Sequence, residues 1–307
     1  MNLSDNVSSK VTLGMPVYNG EKFLQGRLDS LLAQTFTDFE LIISDNASTD
    51  STSLICEEYA KKDKRIKYIR QKKNMGVTWN FNFVLREAKS EYFAWVASDD
   101  IMSEDFIEEN LKILESNNAF VASISKITSY DSPADDFKSN QIDATFKNFI
   151  KKLRCNFKTV DVLQITGTYE NRARTYLKKS TCKVMYSLIR TDKLQQSIVD
   201  EIFLGNEWAL LLCLLKHGDL HVIDKVLMHE FESGISGRGI ISVTKQYNQN
   251  MFAIVFPWYP LTSWCAKNLG MKIFLKNLDY FIQLNLEGGL SLTIDLIRLL
   301  THRISKK

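Results

Sequence analysis

Between Val11 and Asn117 the chain passes four times from a short apolar run to a longer stretch in which apolar residues recur every three or four positions. "VTLGMPVY" reads as a buried strand, and in "NGEKFLQGRLDSLLAQTF" Leu24, Leu28, Leu31 and Leu32 share one helical face. "FELIISD" is the second strand, "NASTD" a turn rich in helix caps, and "STSLICEEYAKKD" a helix with Ile55 and Tyr59 on one face. "RIKYIRQ", the turn "KKNMG" and the helix "VTWNFNFVLREAK" follow. "YFAWVASDD" reads as the fourth strand and "SEDFIEENLKILESN" as the next helix, capped by Ser103 with acids in its first turn. This alternation predicts an α/β fold with a doubly wound, mostly parallel sheet. Ligands of such sheets bind outside the carboxyl ends of the strands. The residues at those ends are Tyr18 to Glu21, Asp45 to Asp50, Asn74 to Gly76 and Ser98 to Asp100, and all four groups are polar.

The regular alternation stops after "AFVASISKITSYD", where "SPADDFKSNQID" reads as a surface loop. Beyond it "ENRARTYLKKS" is predicted helical, "KVMYSLIRT" a strand, "GNEWALLLCLLKHG" an apolar helix closed by Gly218, and "LHVIDKVLMHEF" a strand. The net charge of +3 on 307 residues, without basic runs interleaved with aromatics, argues against nucleic acid as a partner. Cys56, Cys155, Cys182, Cys213 and Cys265 form no CxxC pair, so reduced thiols of a cytoplasmic protein are expected in place of a zinc site or a disulfide framework. The amino-terminal "MNLSDNVSSK" lacks the features of a signal peptide, and "MFAIVFPWYPLTSW" is too short to span a bilayer.

Asp99 and Asp100 close a buried run with adjacent like charges, an arrangement that a divalent cation relieves; Mg²⁺ is commonly held by one or two carboxylates together with substrate phosphates. The plain alternative is that the two acids only begin the turn into the next helix. Asp45 ends "ELIIS", where a carboxylate accepts a hydrogen bond from a nucleotide base, and Tyr18 stands where a ring stacks on one. Ordinary packing accounts for Tyr18 at least as well, and turn formation for Asn46, Ser48 and Thr49, whereas Asp45 stands apart because it closes the strand at the ligand edge. Asn74 and Gly76 read as a turn with Gly76 at positive φ.

Together, "TLGMPVYNGEKFLQGRLDSLLAQTF", "FELIISDNASTDST", "NMGV" and "WVASDD" resemble, in order and spacing, glycosyltransferase family 2, inverting enzymes of the GT-A fold, here of the bacterial or archaeal surface-glycan type. The resemblance spans Val11 to Leu114 and extends more loosely to "GNEWALLLCLLKHGDLHVIDKVLMHEF". It implies a GT-A domain over residues 1–243, with a nucleotide-binding half at about 10–115 and an acceptor-side half at 116–243, and a helical carboxyl-terminal extension over 244–307. It implies transfer of a sugar from a nucleotide-sugar donor to a glycan or polyprenyl-linked glycan. Pro16, Tyr18, Glu21, Asp45 and Asn74 match the nucleotide-contacting loops, and "SDD" the end of the DxD motif, with Asp99 and Asp100 as ligands of Mg²⁺ or Mn²⁺. Ala97 stands where many members carry the first Asp, so which of the two acids holds the metal stays open.

Such a transfer needs a carboxylate to take the acceptor's proton. Glu207 in "LGNEWALLL" matches the family's base position, although an acid there also simply favours a helix N-terminus. The glycine-rich "HEFESGISGRGI" offers Arg238 or His229 as a cationic contact to a diphosphate. In "GGLSLTIDLIRLLTHRISKK", Leu292, Leu296, Leu299 and Leu300 lie on one helical face near Arg298, Arg303, Lys306 and Lys307. Packing on the catalytic domain or a subunit contact is the conservative account; binding to an anionic membrane surface, at the inner face of the cell membrane, is the sharper one. Two further classes compete: a nucleotide-sugar-binding protein of the same fold without transferase activity, and a nucleotidyltransferase. The latter is disfavoured because no glycine-rich, lysine-bearing phosphate loop follows the first strand.

Overall fold

A computed structural model of the chain describes residues 9–98, 100–130, 162–179, 182–231, 247 and 255–304. The first half contains β1 (Val11–Val17), α1 (Glu21–Leu32), β2 (Phe39–Asp45), α2 (Thr52–Lys62), β3 (Ile66–Arg70), α3 (Val77–Glu87), β4 (Tyr92–Trp95), β5 (Ile101–Met102) and α4 (Phe106–Ser116). Then come β6 (Phe120–Tyr130), α5 (Tyr169–Lys179), a 3-10 turn at Cys182–Tyr186, β7 (Leu188–Arg190), α6 (Thr191–Gln195), α7 (Asn206–Leu214) and β8 (Asp219–Phe231). Three helices follow: α8 (Tyr259–Asn268), α9 (Met271–Lys276) and α10 (Leu278–Ile304).

The strands form one eight-stranded sheet ordered β3-β2-β1-β4-β7-β6-β8-β5. β3, β2, β1 and β4 are parallel, as are β6 and β8; β7 runs antiparallel to both neighbours, and β5 antiparallel to β8. The chain builds outward from β1 to β3 and then crosses to β4 on the other side of β1. That reversal makes the carboxyl ends of β1 and β4 the switch point where doubly wound sheets leave a crevice.

β1 and β2 are buried on both faces because helices cover both. Leu13, Met15, Leu41 and Ile43 join Leu24 and Leu28 of α1 and Phe106 and Leu114 of α4 in one core. The intervening Ile42, with Phe93 and Trp95, joins Val84 and Leu85 of α3 in the other. Gly14 has no side chain because none fits: a Cβ there would lie 2.6 Å from Phe93 Cζ and 2.9 Å from Val84 Cγ2. Leu211 of α7, Leu261 and Cys265 of α8 and Phe281 of α10 share the Phe93 core. Burying each such leucine or phenylalanine contributes about 1.5–3 kcal/mol.

Four local expectations are corrected. β4 ends at Trp95, so Ser98 and Asp100 lie beyond the strand, and the next two residues, Ile101 and Met102, form β5 against His229 and Met228 of β8. A two-residue strand is too short to show periodicity. Ser103 does not cap α4, which starts after Asp105 without a side-chain cap; Ser103 serves through its backbone, its N–H donating to Leu227 O and its C=O accepting from Gln34 Nε2. "KVMYSLIRT" is divided into a 3-10 turn and a three-residue strand, with Ser187 Oγ donating to Val184 O at the break. α7 ends at Leu214 before Gly218, whose role is close approach: a Cβ at Gly218 would sit 2.6 Å from Ala119 O, beside the start of β6. The loop "SPADDFKSNQID" lies outside the described residues.

Candidate functional site

At the carboxyl edge, the β1–α1 and β2–α2 loops are joined by reciprocal hydrogen bonds. The N–H groups of Asn19 and Gly20 donate to Ser48 Oγ and Thr52 Oγ1, at 2.9 and 2.8 Å. In return, Thr49 N–H donates to Asn19 Oδ1 (2.8 Å), and Ser51 N–H to Glu21 Oε2 (2.8 Å). Glu21 thus secures one loop to the other. Asn19 and Ala47 are the non-glycine residues at positive φ among the described residues, so the backbone strain falls in these two loops. Pro16 costs no sheet hydrogen bond, because β4 stops pairing with β1 at Gly14. Tyr18, just past the strand, is 49% exposed.

Asn46 fastens the third loop. Buried at the end of β2, it donates through Nδ2 to Asn74 Oδ1 (3.0 Å) and Gly76 O (3.2 Å), and accepts at Oδ1 from Met75 N–H (2.8 Å). Asn74 Oδ1 also accepts from Gly76 N–H, and Gly76 starts α3 at φ 91°. Asn46→Ala is expected to cost about 2–3 kcal/mol of stability, since three hydrogen bonds of about 1 kcal/mol each are lost. Urea denaturation measures it.

Asp45 is fully buried. Its Oδ1 accepts from Ser48 N–H (2.8 Å) and its Oδ2 from the Tyr68 hydroxyl (2.9 Å), while Arg70 Nε lies 3.7 Å from Oδ2. Burial, reinforced by the Asp45 charge, pushes the Tyr68 phenol well above its ordinary range, so it stays a donor. Arg70 Nη2 also donates to Ser48 O at 2.9 Å. Tyr68 and Arg70 are partners that the sequence reading missed. The signal was there: β3 pairs with β2 so that Arg70 faces Asp45 and Tyr68 faces Ile43, two apart on one strand face.

The fourth group joins the first loop at Gly20, where a Cβ would lie 3.5 Å from Ser98 Oγ. Asp100, partly buried, immediately precedes β5, and the register Ile101↔His229 places His229 on the strand beside it. Asp99 and Arg238 lie outside the described residues. No group of three or more His, Cys, Asp or Glu side chains gathers among the described residues. The adjacent acids Asp99 and Asp100 nevertheless fit Mg²⁺ or Mn²⁺ by donor chemistry, because such ions take one or two carboxylates and fill the remaining positions with diphosphate oxygens and water.

Glu207 is held by a separate set of contacts. It sits in the first turn of α7, whose N-cap Gly205 has φ 90°. A Cβ at Gly205 would meet Leu261 Cδ2 at 3.0 Å and Trp258 Cζ3 at 3.2 Å, so glycine is needed for both conformation and space. Asn206 Nδ2 donates to Val199 O (3.1 Å) and Glu201 O (2.5 Å), and Asn82 of α3 donates to the same Val199 O (3.4 Å). Desolvation raises the Glu207 pKa above the ordinary carboxylate value of 4.5, against the lowering effect of a backbone hydrogen bond. That moves it toward the range useful for a general base.

The eight-stranded sheet, with its switch point between β1 and β4, is an α/β fold of the GT-A kind. The model for "Glycosyl transferase family 2" matches residues 12–194, and the chain belongs to that family. Curated relatives include the glycosyltransferases GlyA and GlyG of Streptococcus pneumoniae serotype 4. GlyA is 35% identical over 116 residues, 38% of this chain and 16% of GlyA; GlyG is 30% identical over 131 residues, 43% of each chain. The matched region therefore spans less than half the length of either relative. Among solved structures, S. aureus TarS 1-349 in complex with UDP-GlcNAc superimposes with TM-score 0.56 at 18% identity, covering 90% of this chain and 81% of that one. The mannosyltransferase PcManGT from Pyrobaculum calidifontis, in complex with GDP-Man and Mn²⁺, gives TM-score 0.55 at 15% identity, covering 96% and 76%. At these identities the two structures establish the fold.

Proposed function

We propose that the protein is a metal-dependent inverting glycosyltransferase that moves a sugar from a nucleotide-sugar to a hydroxyl of a glycan or polyprenyl-linked glycan. The observation that carries this reading is the joining of the three nucleotide-side loops, with Ser98 against Gly20, at the β1/β4 switch point. Tyr18 stacks on the base, Asp45, buried with Ser48 N–H and the Tyr68 hydroxyl on its oxygens, fixes the loop beneath it, and Pro16, Glu21 and Asn74 shape the surrounding loops. Asp99 and Asp100 would hold Mg²⁺ or Mn²⁺, which would supply Lewis-acid neutralisation of the charge developing on a departing diphosphate. His229 or Arg238 adds a cationic contact to the same diphosphate.

Glu207 takes the proton from the acceptor hydroxyl as that oxygen attacks the anomeric carbon, and the bond from that carbon to the diphosphate breaks on the opposite face. Configuration is thereby inverted. The test is release of nucleoside diphosphate from UDP-, GDP- and dTDP-sugars with Mn²⁺, and proton NMR of the product anomer. Retention of configuration, or nucleotide binding without turnover of any donor, would remove this assignment.

A further inference from the structure

Helix α3 carries two buried asparagines, Asn80 and Asn82, that grip different parts of the chain. Two residues along a helix place them about 200° apart around its axis. Asn80 holds the end of β2: its Nδ2 donates to Ser44 O (2.9 Å) and its Oδ1 accepts from Ser44 Oγ (2.5 Å), one residue before Asp45. Asn82 reaches the other way, to the segment that leads into α7, and donates through Nδ2 to Val199 O at 3.4 Å. The same oxygen accepts from Asn206 Nδ2 at 3.1 Å, so side-chain amides of two elements meet on one backbone carbonyl. Asn206 closes the segment on itself, donating also to Glu201 O and, through its N–H, to Phe203 O (3.1 Å). Glu207 is the next residue.

We propose that Asn82 is a positioning residue for the transfer: by holding Val199 O it fixes residues 199–206 against α3 and so sets where α7 presents Glu207. The inference rests on the reading of Glu207 as the general base. Val199 is buried between α6 and α7, outside helix and strand, and its carbonyl takes side-chain donors in place of a ladder partner. Asn206 by itself would satisfy that oxygen. What Asn82 adds is attachment to α3, whose N-cap Gly76 closes the third nucleotide-side loop and whose Asn80 holds β2. Two further contacts brace the same side of the helix: Gln195 Nε2 donates to Leu85 O and Ala88 O, each at 3.0 Å, and Arg86 pairs with Asp200. One helix thus ties the nucleotide-side loops to the segment that carries the base. A base must lie within hydrogen-bond reach of the proton it takes, and a misplacement of about 1 Å costs about a hundredfold in rate.

Two measurements on the full chain test this. In hydrogen–deuterium exchange, Asn82→Ala should speed exchange of the amides of residues 199–207 by at least about tenfold, with residues 39–50 unchanged. That readout needs neither donor nor turnover. The second is release of nucleoside diphosphate from UDP-, GDP- and dTDP-sugars with Mn²⁺, water taking the place of the acceptor hydroxyl. Asn82→Ala should lower kcat by at least about tenfold with donor KM within about twofold of the parent's. In the Glu207→Gln background the same substitution should change kcat by less than about twofold, because the group it positions is gone. A merely structural role would lower kcat alike in both backgrounds. Unchanged exchange over residues 199–207, or equal loss of kcat in both backgrounds, overturns the positioning role and leaves Glu207 as the base. Full activity of Glu207→Gln, or no turnover by the parent, removes the underlying reading and the positioning role with it. Asn82→Ser, whose hydroxyl is too short to reach Val199 O, replaces the alanine variant if that one fails to fold.

Discussion

Glu207→Gln is expected to lower kcat by about 10²- to 10⁴-fold, the contribution of a positioned general base, while donor binding stays near that of the parent. Gln keeps the shape and removes the proton acceptor. The desolvated Glu207 carboxyl adds a pH signature, because only its ionised form accepts a proton. Since its pKa stands above 4.5, kcat/KM of the parent should rise with pH through that elevated value, and activity should fall away on the acid side earlier than for a solvated glutamate. Linkage gives the stability the opposite sign. For an acid whose folded pKa is raised, the folded state binds the proton more tightly than the unfolded chain. Stability then declines as pH rises from the unfolded value through the folded one, and the full penalty is present above the folded value. Glu207→Gln removes that penalty and should be at least as stable as the parent at neutral pH. A variant that is both inactive and unstable would point to a structural role for Glu207.

The second large effect belongs to the acidic pair. Asp99→Ala and Asp100→Ala, measured separately, should reduce metal-dependent donor turnover, the principal ligand by about 10³-fold or more, which is about 4 kcal/mol of transition-state stabilisation. The two variants answer which acid holds the metal, the point that Ala97 left open in the shortened motif. The stronger loss should be accompanied by a raised Mn²⁺ requirement. Equal and full activity in both would remove the metal role from this pair.

The parts of the fold that were legible in the sequence are those where one element's periodicity decides the outcome. Leu24, Leu28 and Leu31 mark the buried face of α1, and the apolar run "LII" marks β2, which is buried on both faces because helices cover both. What escaped depends on pairing between distant segments. β5 exists because β8 supplies a partner for Ile101 and Met102, over a hundred residues later in the chain. Tyr68 and Arg70 became neighbours of Asp45 only once the β2–β3 register was known. Ser103 was misjudged because its side chain suits a cap, whereas the fold uses its backbone to bind Leu227 and Gln34. In the candidate site, the polar groups after the strands pointed to the carboxyl edge, where hydrogen bonds join the loops after β1, β2 and β3. The desolvation of Glu207 arises from tertiary burial, which no local pattern encodes.

A nucleoside diphosphate held by metal at the carboxyl edge of the sheet is central to the proposed transfer. Titrating UDP and GDP with and without Mn²⁺ into the parent, Asp99→Ala and Asp100→Ala, followed by thermal shift, tests it most directly. A ligand at a hundred times its Kd stabilises the fold by about 2.7 kcal/mol, an easily read displacement. A Mn²⁺-dependent rise in Tm is expected for the parent with at least one of the two nucleotides, diminished in at least one of the variants. No shift with either nucleotide in the presence of Mn²⁺, or the same shift in all three proteins, would contradict it.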